Sequence, residues 1–140
     1  DQPINPMKQA IAAGATFVAR TTHTNPNHVL QMMEAAMDHD GFSFIECLSE
    51  CVEFYEGAFD ASNPRKGGVF TTVPADHDVT NEDAAYKLAA EPFPGHFGIF
   101  YKNNRPTKNK LEADIVAKAQ EKVKGKTPAD LLKASFSRMK

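Results

Sequence analysis

Two short apolar runs, separated by a long helical segment, constrain the fold of this chain more than any other feature. The first run, ATFVA, covers residues 15–19, and the second lies within GFSFIECLSEC, residues 41–51. Between them, Asn25-Pro26 is typical of a helix start, and the helix is expected to reach about His39. A connection of this length predicts two parallel strands joined by a right-handed crossover. Both strands should therefore end at the same edge of one sheet.

The second run places two cysteines in different positions. Its short apolar stretch, bounded by Gly41 and Ser49, is typical of a strand covered on both faces. We expect Cys47, inside the run, to lie in the core. We expect Cys51, just after it, to lie at the carboxyl edge of the sheet, where ligands of parallel α/β sheets bind. The polar stretch 20–24, which follows the first run, should be its neighbour. A plain buried thiol remains the simpler interpretation of Cys51.

Two cysteines are too few for a disulfide framework. Four steps along a strand separate the Cα atoms of Cys47 and Cys51 by about 13 Å, whereas a disulfide needs less than about 7 Å. They can pair only if the chain folds back sharply. A zinc site that adds His23 or His77 is an alternative, although a structural site takes four ligands. A reduced, cytoplasmic protein fits this cysteine usage best.

Two further histidine positions and one apolar stripe lead to predictions about local structure. His77-Asp78 is either an acid–base pair or, more simply, a solvated turn. His39 is expected to provide a favourable charge at the carboxyl end of its helix. On the same helix an apolar stripe is expected to face the core. That stripe consists of Val29, Met33, Ala36 and Met37.

The rest of the chain adds few strands. Asn5-Pro6 starts another helix, and FGIFY, residues 97–101, is predicted to be a third strand. Residues 52–76 form a long irregular segment, which is uncommon unless it is functional or covers a partner. Two polar helices, 111–123 and 128–138, are predicted to form a tail that docks on the domain or on another chain. A three-stranded parallel sheet is thin, so the chain, which starts at Asp1, is expected to be a fragment or a processed subunit.

Composition excludes several functional classes. The 140 residues are enough for one domain, and a net charge of −2 argues against nucleic acid as the main partner. No apolar run approaches the roughly 20 residues that span a bilayer. There is no signal peptide pattern, and no glycine-rich phosphate loop follows a strand.

Four segments, in order and correctly spaced, resemble the β subunit of 2-oxoacid:ferredoxin oxidoreductases. They are INPMKQAIAAGATFVAR, HDGFSFIECLSEC, HDVTNEDAAYKL and FGIFYKNNRPT. The first two are similar to the family patterns NP…A…AGA.FVAR and A..H.GF…..LSPC, and the later two most resemble the 2-oxoglutarate branch. The resemblance covers about residues 3–107.

The resemblance implies an α/β fold. Residues 1–107 would be the C-terminal part of a thiamine-diphosphate-binding, transketolase-like module, a partial parallel sheet flanked by helices. Residues 108–140 would be a helical C-terminal tail. Such β subunits bind thiamine pyrophosphate with magnesium and a [4Fe-4S] cluster. With the α subunit they oxidatively decarboxylate a 2-oxoacid, transfer the acyl group to coenzyme A and pass electrons to ferredoxin.

One cluster ligand maps onto this chain. The cysteine of the LSPC pattern corresponds to Cys51, whereas the other three cluster cysteines and the Gly-Asp-Gly…Asn motif for magnesium diphosphate belong to the family's N-terminal half. Glu50 replaces the family's proline, and Val52-Glu53-Phe54 replaces the common Thr-Phe-Asn. Because a [4Fe-4S] cluster takes four ligands, we expect this chain alone to bind neither cluster nor thiamine. The alternative is a non-catalytic α/β remnant that binds a partner.

Overall fold

The computed structural model describes residues 3–93 and 95–138, so Asp1, the expected fragment end, lies outside the described residues. The chain separates into two compact units, with the boundary between Arg105 and Pro106. In the first unit the helices and strands alternate. They are α1 Pro6–Ala12, β1 Phe17–Thr22, α2 Pro26–Met37, β2 Ser43–Leu48, α3 Glu82–Leu88 and β3 Gly98–Lys102. The second unit contains α4 Lys108–Val123 and α5 Pro128–Ser137.

β1 is the centre of a three-stranded sheet with the order β2-β1-β3. It is buried along its whole length, and it pairs with β2 in parallel from Phe17↔Ser43 to Thr22↔Leu48. The predicted parallel pair and its shared carboxyl edge are therefore confirmed. β1 begins at Phe17 and ends at Thr22, so Arg20, Thr21 and Thr22 belong to the strand and not to the expected polar loop.

β3 contradicts the prediction of a wholly parallel sheet, because it is antiparallel to β1. The reason lies in the segment before α3. Val73 N–H donates to the Phe97 carbonyl at 2.9 Å, and Lys102 N–H donates to the Val79 carbonyl at 2.8 Å. Residues 73–79 thus run beside β3 in the same direction. α3 therefore connects residues 73–79 to β3, and not β2 to β3. Because β3 is antiparallel to β1 while β2 is parallel to it, the sheet is mixed.

β2 is an edge strand, and the prediction that both of its faces are covered is wrong. Its residues are all partly or fully exposed. The assignment of Cys47 to the core is also wrong, since its side chain is exposed. Among the described residues no strand pairs with the outer edge of β2, and its contacts with β1, α1 and α2 cover it only in part.

Two apolar clusters hold the first unit together, one on each side of the sheet. The larger joins α1, α3 and β3 around Met7, Ile11, Val18, Phe100 and Tyr101, which are all at most 2% exposed. The smaller places Phe17 and Ala19 of β1 against Met32 of α2.

The two Asn-Pro signals start helices as predicted. The Asn5 side chain accepts a hydrogen bond from Lys8 N–H at 3.0 Å, and the Asn25 side chain accepts one from His28 N–H at 3.2 Å. Proline follows each cap, in the first turn, where its missing N–H costs no hydrogen bond.

The buried face of α2 differs from the predicted stripe. His28 and Met32 are buried, whereas Met33 and Met37 are 49% and 76% exposed. The helix is therefore rotated relative to the apolar pattern. His28 faces the sheet because it has a polar partner there, the Thr21 hydroxyl oxygen, which lies 2.8 Å from its Nδ1.

His39 does not act as a charge at the helix end. Its side chain is buried, and the Thr16 hydroxyl oxygen lies 2.8 Å from its Nε2. Burial lowers the pKa of His39, and the nearby positive charge of Lys102 lowers it further, while Asp40 opposes this shift. The neutral ring is therefore the favoured form.

The second unit is a pair of helices whose described residues, 108–138, are all exposed. Thr127 caps α5 as predicted, and Asp130 completes a reciprocal capping box with it. Within the part of the chain that the structure describes, no helix is both long enough and apolar enough to cross a membrane.

Candidate functional site

The carboxyl ends of β1 and β2 meet where the sequence predicts. His23, just after β1, donates its backbone N–H to the Leu48 carbonyl at 2.9 Å, and its ring Nδ1 lies 3.2 Å from the same oxygen. Its Nε2 lies 3.9 Å from Glu50 Oε1. The turn after β1 and the end of β2 are therefore joined directly, next to Cys51 in sequence.

Cys51 begins an exposed segment. Its carbonyl accepts hydrogen bonds from the N–H groups of Phe54 at 3.2 Å and Tyr55 at 2.8 Å, which fold the following residues into a turn. The thiol is exposed, as are all residues from 51 to 56. Phe54 is 92% exposed and Tyr55 is 71% exposed. The structure thus presents this thiol at the surface and does not bury it in the core.

The irregular segment after Cys51 contacts the carboxyl edge of the sheet at several residues. Glu50 Oε2 accepts the N–H of Gly57 at 3.0 Å, close to the start of the segment. Further along, the ring of Phe59 lies 6.2 Å from the ring of His23, and the ring of Phe70 lies 5.0 Å from the ring of His28. The segment is therefore a folded cover beside the strand ends, although the sequence gives no regular pattern for it.

A cross-strand ion pair that the sequence did not indicate lies beside this edge. Arg20 and Glu46 face each other in the β1–β2 register, and Arg20 Nε donates to Glu46 Oε2 at 2.6 Å. The two side chains are only 10% and 15% exposed. They line an open groove of about 310 Å³ together with Leu48, Glu91 and Phe93. A single arginine at the end of the first apolar run and a single glutamate within the second could have indicated such a pair.

His28 is a second residue whose role the sequence did not indicate. It is buried between β1 and Phe70 of the irregular segment 52–76, and burial lowers its pKa. The Thr21 hydroxyl oxygen lies 2.8 Å from its Nδ1, while Phe70 meets its ring edge-on. A neutral imidazole therefore links the sheet to the covering segment.

The structure assigns separate roles to His77 and Asp78. Nε2 of His77 lies 2.8 Å from the Phe100 carbonyl oxygen, whereas Asp78 accepts hydrogen bonds from the N–H and hydroxyl of Thr80. These two bonds lower the pKa of Asp78. The local-turn interpretation accounts for both contacts.

The zinc alternative finds no support in the geometry. Within residues 3–93 and 95–138, no three histidine, cysteine or acidic side chains come together in a way that could hold a metal ion. At this edge lie the exposed thiol of Cys51, the carboxylate of the preceding Glu50 and the imidazole of His23, which is 3.9 Å from that carboxylate. Such a set can supply a single thiolate ligand, and the other ligands of a cluster must come from elsewhere.

No family model matches the chain, but curated proteins do. It is 39% identical over 61 residues to the 2-oxoglutarate oxidoreductase subunit KorB of Mycobacterium tuberculosis, an alignment that covers 44% of this chain and 16% of that protein. It is also 39% identical over 51 residues to 2-oxoacid:ferredoxin oxidoreductase 1, subunit beta, of Aeropyrum pernix, covering 36% of this chain and 16% of the relative. These relatives confirm the resemblance drawn from the sequence.

A solved structure is similar over almost the whole chain. It is the 2-oxoglutarate:ferredoxin oxidoreductase from Magnetococcus marinus with 2-oxoglutarate, coenzyme A and succinyl-CoA bound. The TM-score is 0.72 at 27% sequence identity, and the match covers 97% of this chain and 45% of the solved chain. The chain thus spans less than half the length of the proteins it matches.

Proposed function

We propose that this chain forms part of the β subunit of a 2-oxoacid:ferredoxin oxidoreductase that acts on 2-oxoglutarate. The observation that carries the proposal is the match, over 97% of the chain, to a solved enzyme of this type, together with a curated relative that is named as a 2-oxoglutarate oxidoreductase subunit. The 2-oxoglutarate, coenzyme A and succinyl-CoA in the solved enzyme support the choice of substrate. Other subunits, and ferredoxin as the electron acceptor, belong to the same proposal.

Cys51 is proposed to be one ligand of a [4Fe-4S] cluster. Its thiol is exposed at the carboxyl edge, where a ligand from another polypeptide segment can approach it. A four-iron cluster takes four thiolates, and this edge supplies one of them. The residues present therefore fit a shared cluster and do not fit a self-contained one.

In the complete enzyme thiamine pyrophosphate, held with magnesium, would supply carbanion stabilisation at the 2-oxoacid carbonyl carbon. We assign no residue of this chain to that group. The contribution of this chain is positional: the His23–Leu48 hydrogen bond fixes the turn before Cys51, and Glu50 fixes the turn after it through Gly57. A carboxylate next to a cluster thiolate disfavours added electrons, so Glu50 would lower the cluster's reduction potential.

The two cysteines provide a matched test of this role. Both are exposed, but Cys47 lies within β2 and Cys51 follows it. In a complete β subunit that contains this sequence, assembled with its α subunit, Cys51→Ser should remove the signal of one [4Fe-4S] cluster by electron paramagnetic resonance. It should also lower the iron content and abolish 2-oxoglutarate-dependent reduction of ferredoxin.

Cys47→Ser should leave the iron content and the activity unchanged. Retention of the full cluster signal in Cys51→Ser would remove Cys51 from the ligand set. Absence of any 2-oxoglutarate-dependent electron transfer in the unmodified assembly would instead favour the partner-binding remnant. For the 140-residue chain alone, anaerobic reconstitution with iron and sulfide is expected to yield no cluster absorbance.

A further inference from the structure

The chain's small net charge conceals a strong segregation of charge. Residues 106–140 contain nine Lys and Arg against four Asp and Glu, a formal charge of +5. Residues 1–105 contain seven against 14, a formal charge of −7. Lysines close together in sequence usually form only a solvated face. They indicate a binding surface only where the structure gathers them around a groove.

The second unit does so. A groove of about 490 Å³ lies between α4 and α5, and Val123, Leu131 and Ala134 contribute apolar surface to it. Three cationic residues, Lys122, Lys126 and Arg138, line the same groove. Apolar walls and cationic side chains therefore converge on one concave surface.

These cations differ from two other lysines of the second unit. Lys108 and Lys124 are paired with Glu112 and Glu121 at 3.4 and 3.7 Å. Among the residues that the structure describes, no carboxylate forms an ion pair with Lys122, Lys126 or Arg138. Exposed ion pairs are weak, so this difference concerns which positive charges are available to a ligand and not the stability of the hairpin.

We propose that the groove between α4 and α5 binds an acidic, partly apolar segment of another protein. Carboxylates of the partner pair with the three cations, and its apolar side chains bury the aliphatic walls. The helices themselves need such burial, because every described residue from 108 to 138 is exposed and short helices owe their stability mainly to a buried face. This inference does not depend on the proposed enzymatic function.

The geometry favours a protein partner over the other anionic partners. A membrane-surface helix presents a convex apolar face flanked by cations, whereas these cations surround a concave groove. Binding of single-stranded nucleic acid uses aromatic side chains as stacking platforms, and the lining of this groove contains none. A segment with both carboxylates and apolar side chains fits the lining on both counts.

The test uses the full 140-residue chain and a synthetic amphipathic helical peptide with leucines on one face and glutamates beside them. Fluorescence anisotropy should show saturable binding that weakens as salt rises. The combined variant Lys122→Gln, Lys126→Gln and Arg138→Gln should weaken binding about tenfold or more, since three charge pairs are lost. The matched control Lys110→Gln, Lys118→Gln and Lys133→Gln removes the same charge outside the groove and should change binding less than about twofold.

Circular dichroism of both variants establishes that the helices are retained. Equal losses in the two variants would overturn the proposal, because they would indicate a general charge effect. So would equal binding of a peptide with lysine in place of glutamate. Tighter, groove-dependent binding of phosphatidylglycerol vesicles or of an oligothymidylate would overturn it in favour of a lipid or nucleic-acid partner.

Discussion

His39 shows how one buried side chain connects stability to pH. Its Nε2 lies 2.8 Å from the Thr16 hydroxyl oxygen, and within the described residues its buried Nδ1 has no hydrogen-bond partner. A proton on that second nitrogen would be poorly accommodated, which agrees with a lowered pKa caused first by burial. A side chain added at Gly41 would also disturb this site, because its Cβ would lie 2.7 Å from His39 Nε2.

The sign of the pH dependence follows from that lowered pKa. Below the ordinary histidine value of 6.5, the unfolded chain binds a proton that folded His39 resists, and His28 behaves in the same way. The free energy of unfolding should therefore be highest above pH 6.5 and should fall as the pH drops below it. Urea unfolding between about pH 7.5 and pH 5 measures this, and His39→Asn should flatten the profile. An equally steep profile in that variant would exclude His39 as a source.

At the scale of elements, α1 and α2 start with the same Asn-Pro signal, but their capping asparagines make different hydrogen bonds. The Asn5 side chain accepts from Lys8 N–H, and its amide nitrogen also donates to the Ala89 carbonyl at 2.7 Å, which ties α1 to the end of α3. Among the described residues, the Asn25 side chain makes only its capping bond to His28 N–H. The first cap is thus both local and tertiary.

Substitutions at these caps should separate the two contributions. Asn25→Ala should lower the free energy of unfolding by about 1 kcal/mol, and Asn5→Ala by about 2 kcal/mol, because it loses the cap and the bond to Ala89. Asn5→Asp keeps the capping oxygen but loses the amide donor, so it should lie between wild type and Asn5→Ala. Urea denaturation tests the order, and equal losses for both alanine variants would contradict it.

The Arg20–Glu46 pair joins the central strand β1 to the edge strand β2 through their side chains. Glu46→Ala leaves a largely buried guanidinium without its partner, which should cost about 2 to 4 kcal/mol of unfolding free energy. The double variant Arg20→Met with Glu46→Leu should lose less than Glu46→Ala, since no charge remains unpaired. As a comparison, Lys66→Ala breaks an ion pair to Asp60 whose side chains are 48% and 43% exposed, and it should lower the free energy of unfolding far less than Glu46→Ala, because solvent screens this pair. Urea unfolding distinguishes these cases, and similar losses at both pairs would refute the buried-pair argument.

The features that the sequence predicted correctly depend on short-range or strongly constrained patterns. The Asn-Pro caps are local, and the parallel β1–β2 pair follows from the length of its crossover. The direction of β3 could not be predicted, because it depends on the irregular residues 73–79, which carry no strand pattern of their own. The exposure of Cys47 depends on β2 being the edge strand, and the rotation of α2 depends on how that helix packs on the sheet; no local pattern indicates either. Cys51 was placed correctly at the edge because parallel strands end together.

For the whole molecule, the rotation of α2 leaves apolar side chains on its outer face. Leu30, Met33 and Met37 are 57%, 49% and 76% exposed, and Phe42, just before β2, is 65% exposed. Exposed apolar patches beside an unpaired strand edge promote association. In the β subunit proposed above, additional polypeptide would pack against this surface, since the solved relative is more than twice as long as the part matched here.

The isolated 140-residue chain should therefore self-associate as its concentration rises, which sedimentation velocity can measure. Replacing Leu30, Met33 and Met37 together by Gln should shift the distribution toward monomer without lowering the urea midpoint, because these side chains contribute little to the core of the isolated chain. Val52→Gln changes a side chain of similar exposure, 66%, at the start of the irregular segment and should leave association unchanged. A monomeric wild-type chain at all concentrations, or equal effects of both variants, would show that the outer face of α2 and β2 does not drive association.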